Sequence, residues 1–106
     1  MIFNTASHAY VLMGIMMIVK FFANLRDITK SKEIEVEAPE NIRQLLFLLS
    51  EKYGKEMKKK LIVEDNKLHP DMIVLRNGRH IEHLDNENTQ LSNEDMVSFF
   101  PRIAGG

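Results

Sequence analysis

Residues 17–23 (MIVKFFA) read as a strand, with Met17, Val19 and Phe21 on one face and Ile18, Lys20 and Phe22 on the other. Residues 33–37 (EIEVE) alternate strictly, Ile34 and Val36 inward and the glutamates outward. The polar stretch 24–32 between them is expected to be a hairpin loop. The period then changes. Ile42, Leu45, Leu46, Leu49 and Tyr53 recur at helical spacing and make one apolar stripe. Pro39 stands at or just before its start, Asn41 and Gln44 form a capping pair, and Gly54 is the expected stop in the left-handed conformation. Phe47 and Leu48 fall off the stripe, toward a secondary core or into solvent. Residues 55–61 read as a short second helix and residues 64–70 as a loop. Residues 72–76 (MIVLR) are a strand, Asn77-Gly78 supplies the positive-φ pair of a two-residue hairpin turn, and residues 79–82 return as a short strand. Residues 85–95 are polar and turn-rich. Residues 96–100 (MVSFF) form the last strand, ended by Pro101.

The element order is therefore β-β-α-(short α)-β-β-β. It predicts an α+β fold in which one main helix covers the apolar face of one mixed sheet of four to five strands. Strands one and five are both apolar enough to lie centrally, which fits a β-grasp, the ubiquitin-like arrangement. The expected organisation is an accessory extension over residues 1–15, the folded domain over 16–100, and a flexible C-terminal tail over 101–106.

Residues 1–19 hold no Asp, Glu, Lys or Arg, yet the continuous apolar run 9–19 is only 11 residues long. A bilayer span needs ~20 apolar residues, so a span is not expected; the preferred reading is an accessory extension with no membrane partner, ahead of an interface or membrane-surface role. The stretch also lacks the basic start of a secretory signal. Met13, Met16 and Met17 offer alternative starts just ahead of the first strand.

Charge and cysteine content narrow the chemistry. With 14 basic and 15 acidic residues the net charge is −1, which exerts no long-range pull on nucleic acid or anionic lipid. The chain has no cysteine. Disulfides, thiolate nucleophiles, Cys-ligated zinc and side-chain persulfides are excluded. The absence of disulfides is consistent with a reducing cytoplasm, the expected location. Sulfur carried by this protein would have to sit on something other than a thiol.

Four segments carry a resemblance. They are Val19 to Thr29 (VKFFANLRDIT), the helix Asn41 to Gly54, the turn Asn77-Gly78-Arg79, and the ending DMVSFFPRIAGG from Asp95 to Gly106. Together they resemble the MoaD family, the small subunit of molybdopterin synthase, across about residues 17–106. MoaD is a ubiquitin-like sulfur carrier related to ThiS and to archaeal ubiquitin-like modifiers. The family usually has Pro-Pro before its Val/Ile-Ala-Gly-Gly tail; here the second position is Arg102. The region 56–69 is longer than in the thiamin-pathway carrier, which favours MoaD over ThiS.

The resemblance implies a cycle on the carboxylate of Gly106. An E1-like adenylyltransferase of the MoeB type activates it with ATP, and sulfur displaces AMP to leave a thiocarboxylate. A catalytic large subunit of the MoaE type then uses that sulfur to build the dithiolene of molybdopterin. The chain is thus a carrier and not itself an enzyme, with no directly bound cofactor and no metal. The same activated terminus serves two alternatives: an isopeptide with a lysine, as archaeal modifiers make, or sulfur delivery for tRNA thiolation.

The residues agree with this chemistry. A carboxylate is a poor electrophile until adenylation supplies a leaving group. A terminal glycine passes a narrow channel because it has no Cβ. Six extended residues from Pro101 would span roughly 20 Å. The chain has no phosphate-binding glycine loop of the Walker type, so ATP is expected on the partner. Strand parity places Phe22 and Phe100 together on the outward face beside the tail, a candidate partner surface with Pro101, Ile103, Ala104 and Gly105. The lysines 55, 58, 59 and 60 read as a solvated face and not as a phosphate site. His80 and His83 are expected to point to opposite faces of a short strand and its exit, without a third ligand for a metal.

Overall fold

A computed structural model describes residue 11 and residues 13–102. Five strands form one mixed sheet: β1 (Met17–Phe21), β2 (Glu33–Val36), β5 (Met72–Arg76), β6 (Arg79–His80) and β7 (Met96–Pro101), in the order β2-β1-β7-β5-β6. β1 and β7 run parallel at the centre, with Val19 opposite Val97 and Phe21 opposite Phe99. The other pairings in this sheet are antiparallel. The sheet covers the helix α2 (Ile42–Tyr53), whose Ile42, Leu45, Leu46 and Leu49 are buried. Opposite them lie Met17, Val19, Phe21, Ile34, Val36, Val74, Val97 and Phe99, each at most 2% exposed. The apolar residues of four strands and the stripe of one helix thus close on each other, as the β-grasp reading expects.

The helix ends follow local chemistry, with two refinements. Asn41 Oδ1 accepts the Gln44 N–H at 2.9 Å, but the Gln44 side chain accepts from Glu40 N at 3.0 Å, one residue earlier than a reciprocal capping box would place it. Gly54 does stop α2, yet at φ 88° and ψ −165°. That is not the left-handed helical region but the extended positive-φ region that only glycine occupies readily. The chain turns there and immediately starts α3 (Lys55–Leu61), which buries Met57 and Leu61, four residues apart.

Several expected loops are more ordered. Residues 24–32 contain the short helix α1 (Leu25–Thr29), closed by Lys30 at φ 58°. Leu25 and Thr29 are four apart and both buried, so tertiary packing recruits a polar-looking stretch into a helical turn. In the expected loop 64–70, β3 (Ile62–Val63) pairs with β4 (Lys67–Leu68) across a 3-10 turn over Glu64–Asn66. The return strand of the Asn77-Gly78 hairpin is shorter than expected. β6 stops at His80, and Ile81–His83 form a 3-10 turn that buries Ile81. In that turn, residues three apart come onto one side, so the His80 and His83 rings lie 6.1 Å apart, edge to face, instead of on opposite faces. The glutamates of β2 point outward as the pleat requires, but Glu35, opposite Ile18, is 1% exposed, without a hydrogen-bond partner among the described residues. Outward in a pleat is not the same as open to water.

Of the expected extension 1–15, residues 1–10 and 12 lie outside the described residues. No described helix is long and apolar enough to cross a membrane.

Candidate functional site

The site is built around the end of β7. The ladder runs further than the sequence predicts. Pro101 is still in register, opposite Met72, and the next N–H, that of Arg102, donates to the Asp71 carbonyl at 2.6 Å. A proline removes only its own donor, and here the ladder resumes one residue later. Pro101 is therefore strand and not tail. Ile103, Ala104, Gly105 and Gly106 lie outside the described residues. Four residues beyond Arg102 reach at most ~14 Å, shorter than the ~20 Å of a tail counted from Pro101.

Beside this root, β1 delivers Phe22 and β7 delivers Phe100. Their rings stack with centroids 4.1 Å apart and planes 12° off parallel. Both side chains are half-exposed on the outer sheet face. The Phe22 N–H donates to the Phe99 carbonyl at 3.1 Å, so the parallel ladder itself sets the stack. Sequence parity brought these two rings together correctly. It did not find Arg26, whose guanidinium carbon sits 5.2 Å from the Phe22 centroid while its Nε donates to the Phe21 carbonyl at 2.7 Å. Only the α1 turn places it there. Nor did it single out Ile73, which pairs with Phe100 across β5 and is half-exposed. The signal was present: in MIVLR, alternate residues on both faces are apolar.

The tail root is electropositive. Lys59 and Lys60 of α3 and Arg102 line a cleft of about 350 Å³ with His69, Asp71 and Asn24. These lysines belong to the cluster read as a solvated face; Lys59 and Lys60 line the tail root at Arg102, and Lys55 and Lys58 do not.

The start of β7 is anchored by Asp95, the last residue of the turn-rich stretch 85–95. Its Oδ1 accepts from Asn77 Nδ2 at 2.9 Å, and its Oδ2 accepts from Ser92 N at 2.8 Å and Arg76 Nε at 3.2 Å. Asn77 in turn accepts the Met96 N–H at 2.8 Å, so the hairpin turn is tied to the central strand. Burial alone would raise the Asp95 carboxyl, but the hydrogen bonds from Asn77 and Ser92 and the Arg76 bond and charge outweigh it and hold it below its ordinary 3.8. Against the inner face, Tyr53 meets Phe21 edge-on at 5.9 Å, and burial pushes its phenol up, away from ionisation. Among the described residues no group of three or more His, Asp or Glu is placed to hold a metal.

The chain is similar in sequence and fold to known proteins. The ThiS family pattern matches residues 19–106. Small archaeal modifier protein 3 of Haloferax volcanii is 34% identical over 90 residues, covering 83% of this chain and 96% of that protein. The solution structure of small archaeal modifier protein 1 from Methanosarcina acetivorans superposes with a TM-score of 0.75 at 28% identity, over 86% of this chain and 96% of that one. A Pyrococcus furiosus protein assigned as molybdopterin converting factor subunit 1 superposes with a TM-score of 0.65 at 26% identity, over 84% of this chain and 99% of the other. The MoaD resemblance holds at the level of the family they share. With a ubiquitin-like β-grasp, a family pattern that matches residues 19–106 and a relative 34% identical over most of both chains, this chain belongs to the ThiS family of ubiquitin-like sulfur carriers.

Proposed function

We propose that this chain carries sulfur as a C-terminal thiocarboxylate on Gly106 and delivers it to molybdopterin synthesis. The observation that carries this reading is the junction at β7. A central, buried strand ends beside a stacked Phe22–Phe100 patch and leads within four residues to Gly105-Gly106. The carboxylate attacks the α-phosphorus of ATP on an E1-like enzyme of the MoeB type, forming the acyl adenylate and releasing pyrophosphate. A sulfur nucleophile then attacks the carbonyl and AMP leaves. On a large subunit of the MoaE type the thiocarboxylate sulfur attacks the pterin precursor, and water then cleaves the acyl–sulfur bond, leaving sulfur on the pterin and returning the Gly106 carboxylate. In this cycle Phe22, Phe100 and Pro101 dock the partner, and Ile103 and Ala104 enter its channel with the two glycines. Ordering that tail costs ~1–2 kcal/mol per residue, which the partner must offset.

The test is mass spectrometry after incubation with an E1-like enzyme, ATP and a sulfur donor. The expected result is the mass gain for exchange of one terminal oxygen for sulfur, absent when Gly105-Gly106 are deleted. An unchanged mass with an enzyme competent on another carrier would sink the proposal. A second reading is favoured by the 34% identity to a small archaeal modifier protein. There the same adenylate ends as an isopeptide on lysine, and Gly-Gly remnants on target lysines would distinguish it.

A further inference from the structure

The helix side of the domain carries a surface that the tail chemistry does not use. α2 turns Ile42, Leu45, Leu46 and Leu49 into the core, leaving Arg43, Phe47 and Ser50 on its opposite face. Phe47 is 63% exposed, the most exposed aromatic among the described residues. Phenylalanine has no advantage over Glu, Lys or Gln at a solvated helix position. It is not an isolated apolar residue. It lines a groove of about 570 Å³ between α2 and α3, with Ile62 on the far side. A second cleft of about 260 Å³ over Lys55, Lys58, Lys59 and Ile62 adjoins through shared residues.

The charges in the main groove are unbalanced. Arg43, Lys55 and Lys58 line it against a single carboxylate, Glu51. Arg43 is held by the Asn66 carbonyl at 3.2 Å and Asn88 Oδ1 at 3.4 Å, so its guanidinium is ordered before anything binds. Lys55 and Lys58 form no ion pair among the described residues.

We propose that this groove docks an acidic, amphipathic segment of a partner protein, with Phe47 and Ile62 taking its apolar side chains and Arg43, Lys55 and Lys58 its carboxylates. An apolar lining with Glu51 in it does not suit a phosphodiester backbone. A second copy of the chain does not fit either. Its strongest acidic run, residues 33–37, keeps Ile34 and Val36 in the core and so presents charge without an apolar stripe. The groove lies on the far side of α2 from the sheet and shares none of its lining residues with the Phe22–Phe100 patch, while Lys59 links its adjoining cleft to the tail root. The inference stands independently of what happens at Gly106.

The test is NMR titration of the full ¹⁵N-labelled chain with a synthetic acidic peptide of about twelve residues, carrying leucines at helical spacing and glutamates between them. The expected result is saturable shifts at Phe47, Ser50, Gly54, Lys58 and Ile62, weakened by salt. Phe47→Ala, at an exposed site, should keep the fold and weaken binding about tenfold or more. Lys55→Glu with Lys58→Glu should do the same, and Phe22→Ala should leave binding unchanged. Three results would overturn the proposal: no saturable shifts, equal binding of the peptide with lysines replacing its glutamates, or shifts confined to the outer sheet face. Concentration-dependent shifts of the same residues without peptide would assign the groove to a second copy and equally overturn it.

Discussion

Two pairs of phenylalanines occupy neighbouring positions: Phe21 ends β1 with Phe22 directly after it, and Phe99 and Phe100 are consecutive in β7. Phe21 and Phe99 are fully buried, with centroids 6.3 Å apart, and Tyr53 meets Phe21 edge-on. Phe22 and Phe100, one residue further along the chain in each case, stack at 4.1 Å on the outer face and remain half-exposed. Residue type and chain neighbourhood are shared; parity differs. The inner pair needs no explanation beyond the core. The outer pair gains ~0.5–1.5 kcal/mol from ring stacking while leaving apolar area in water. Its position beside the tail root is the reason for proposing it as a docking surface.

The sharpest way to break this contrast is Phe99→Ala. Losing a fully buried aromatic should cost ~3–5 kcal/mol, a large part of the ~5–15 kcal/mol total of a small domain. Urea or thermal unfolding would show it, and a loss below ~1 kcal/mol would mean the inner pair is not a central part of the core.

Next in size is Asp95→Asn, which tests the anchor that ties the hairpin turn to the start of the strand carrying Phe99 and Phe100. Its expected cost is ~1–3 kcal/mol at neutral pH, because Arg76 and Ser92 lose a charged acceptor. The sign of the pH dependence follows from the lowered carboxyl pKa. A depressed folded pKa contributes stability above the ordinary value of 3.8, and that contribution fades as pH falls through the folded value. Acid unfolding curves of the wild type and the variant should therefore converge below that pH. Curves that stay parallel would contradict the assignment.

Phe22→Ala and Phe100→Ala should each cost only ~1 kcal/mol or less in stability. Their expected effect is on partner engagement: ATP–pyrophosphate exchange with the activating enzyme should fall about tenfold through KM. Normal exchange in the double variant would remove the outer pair from the docking surface. Smallest of all is Phe47→Ala, which should alter stability within ~0.5 kcal/mol and leave exchange unchanged. An effect on exchange would place the helix side inside the activating interface.

The strands and the main helix were legible because their cause is local. Alternation in MIVKFFA and MVSFF, and the stripe from Ile42 to Tyr53, are direct consequences of periods of 2 and 3.6. The Asn77-Gly78 turn is equally local, with φ of 50° and 84° at its two residues. Misreadings fell where non-local packing decides. Leu25 and Thr29 look like part of a polar loop until the core takes them in. Pro101 looks like a terminator until Asp71 extends the ladder past it. His80 and His83 separate on a strand but meet on a 3-10 turn.

The candidate site divides the same way. By itself, the sequence determined that no thiol is present, that Gly105-Gly106 follows a strand, and that Phe22 and Phe100 share a parity. These depend on residue identity and on a two-residue repeat, and neither needs a third dimension. The tertiary structure decided that Arg26 reaches the Phe22 ring, that Asp95 ties the hairpin to β7, and that a lysine cluster divides between the tail root and a groove under Phe47. Each of these joins residues far apart in the chain or set by a helix turn that only packing stabilises. No period along the sequence encodes such meetings.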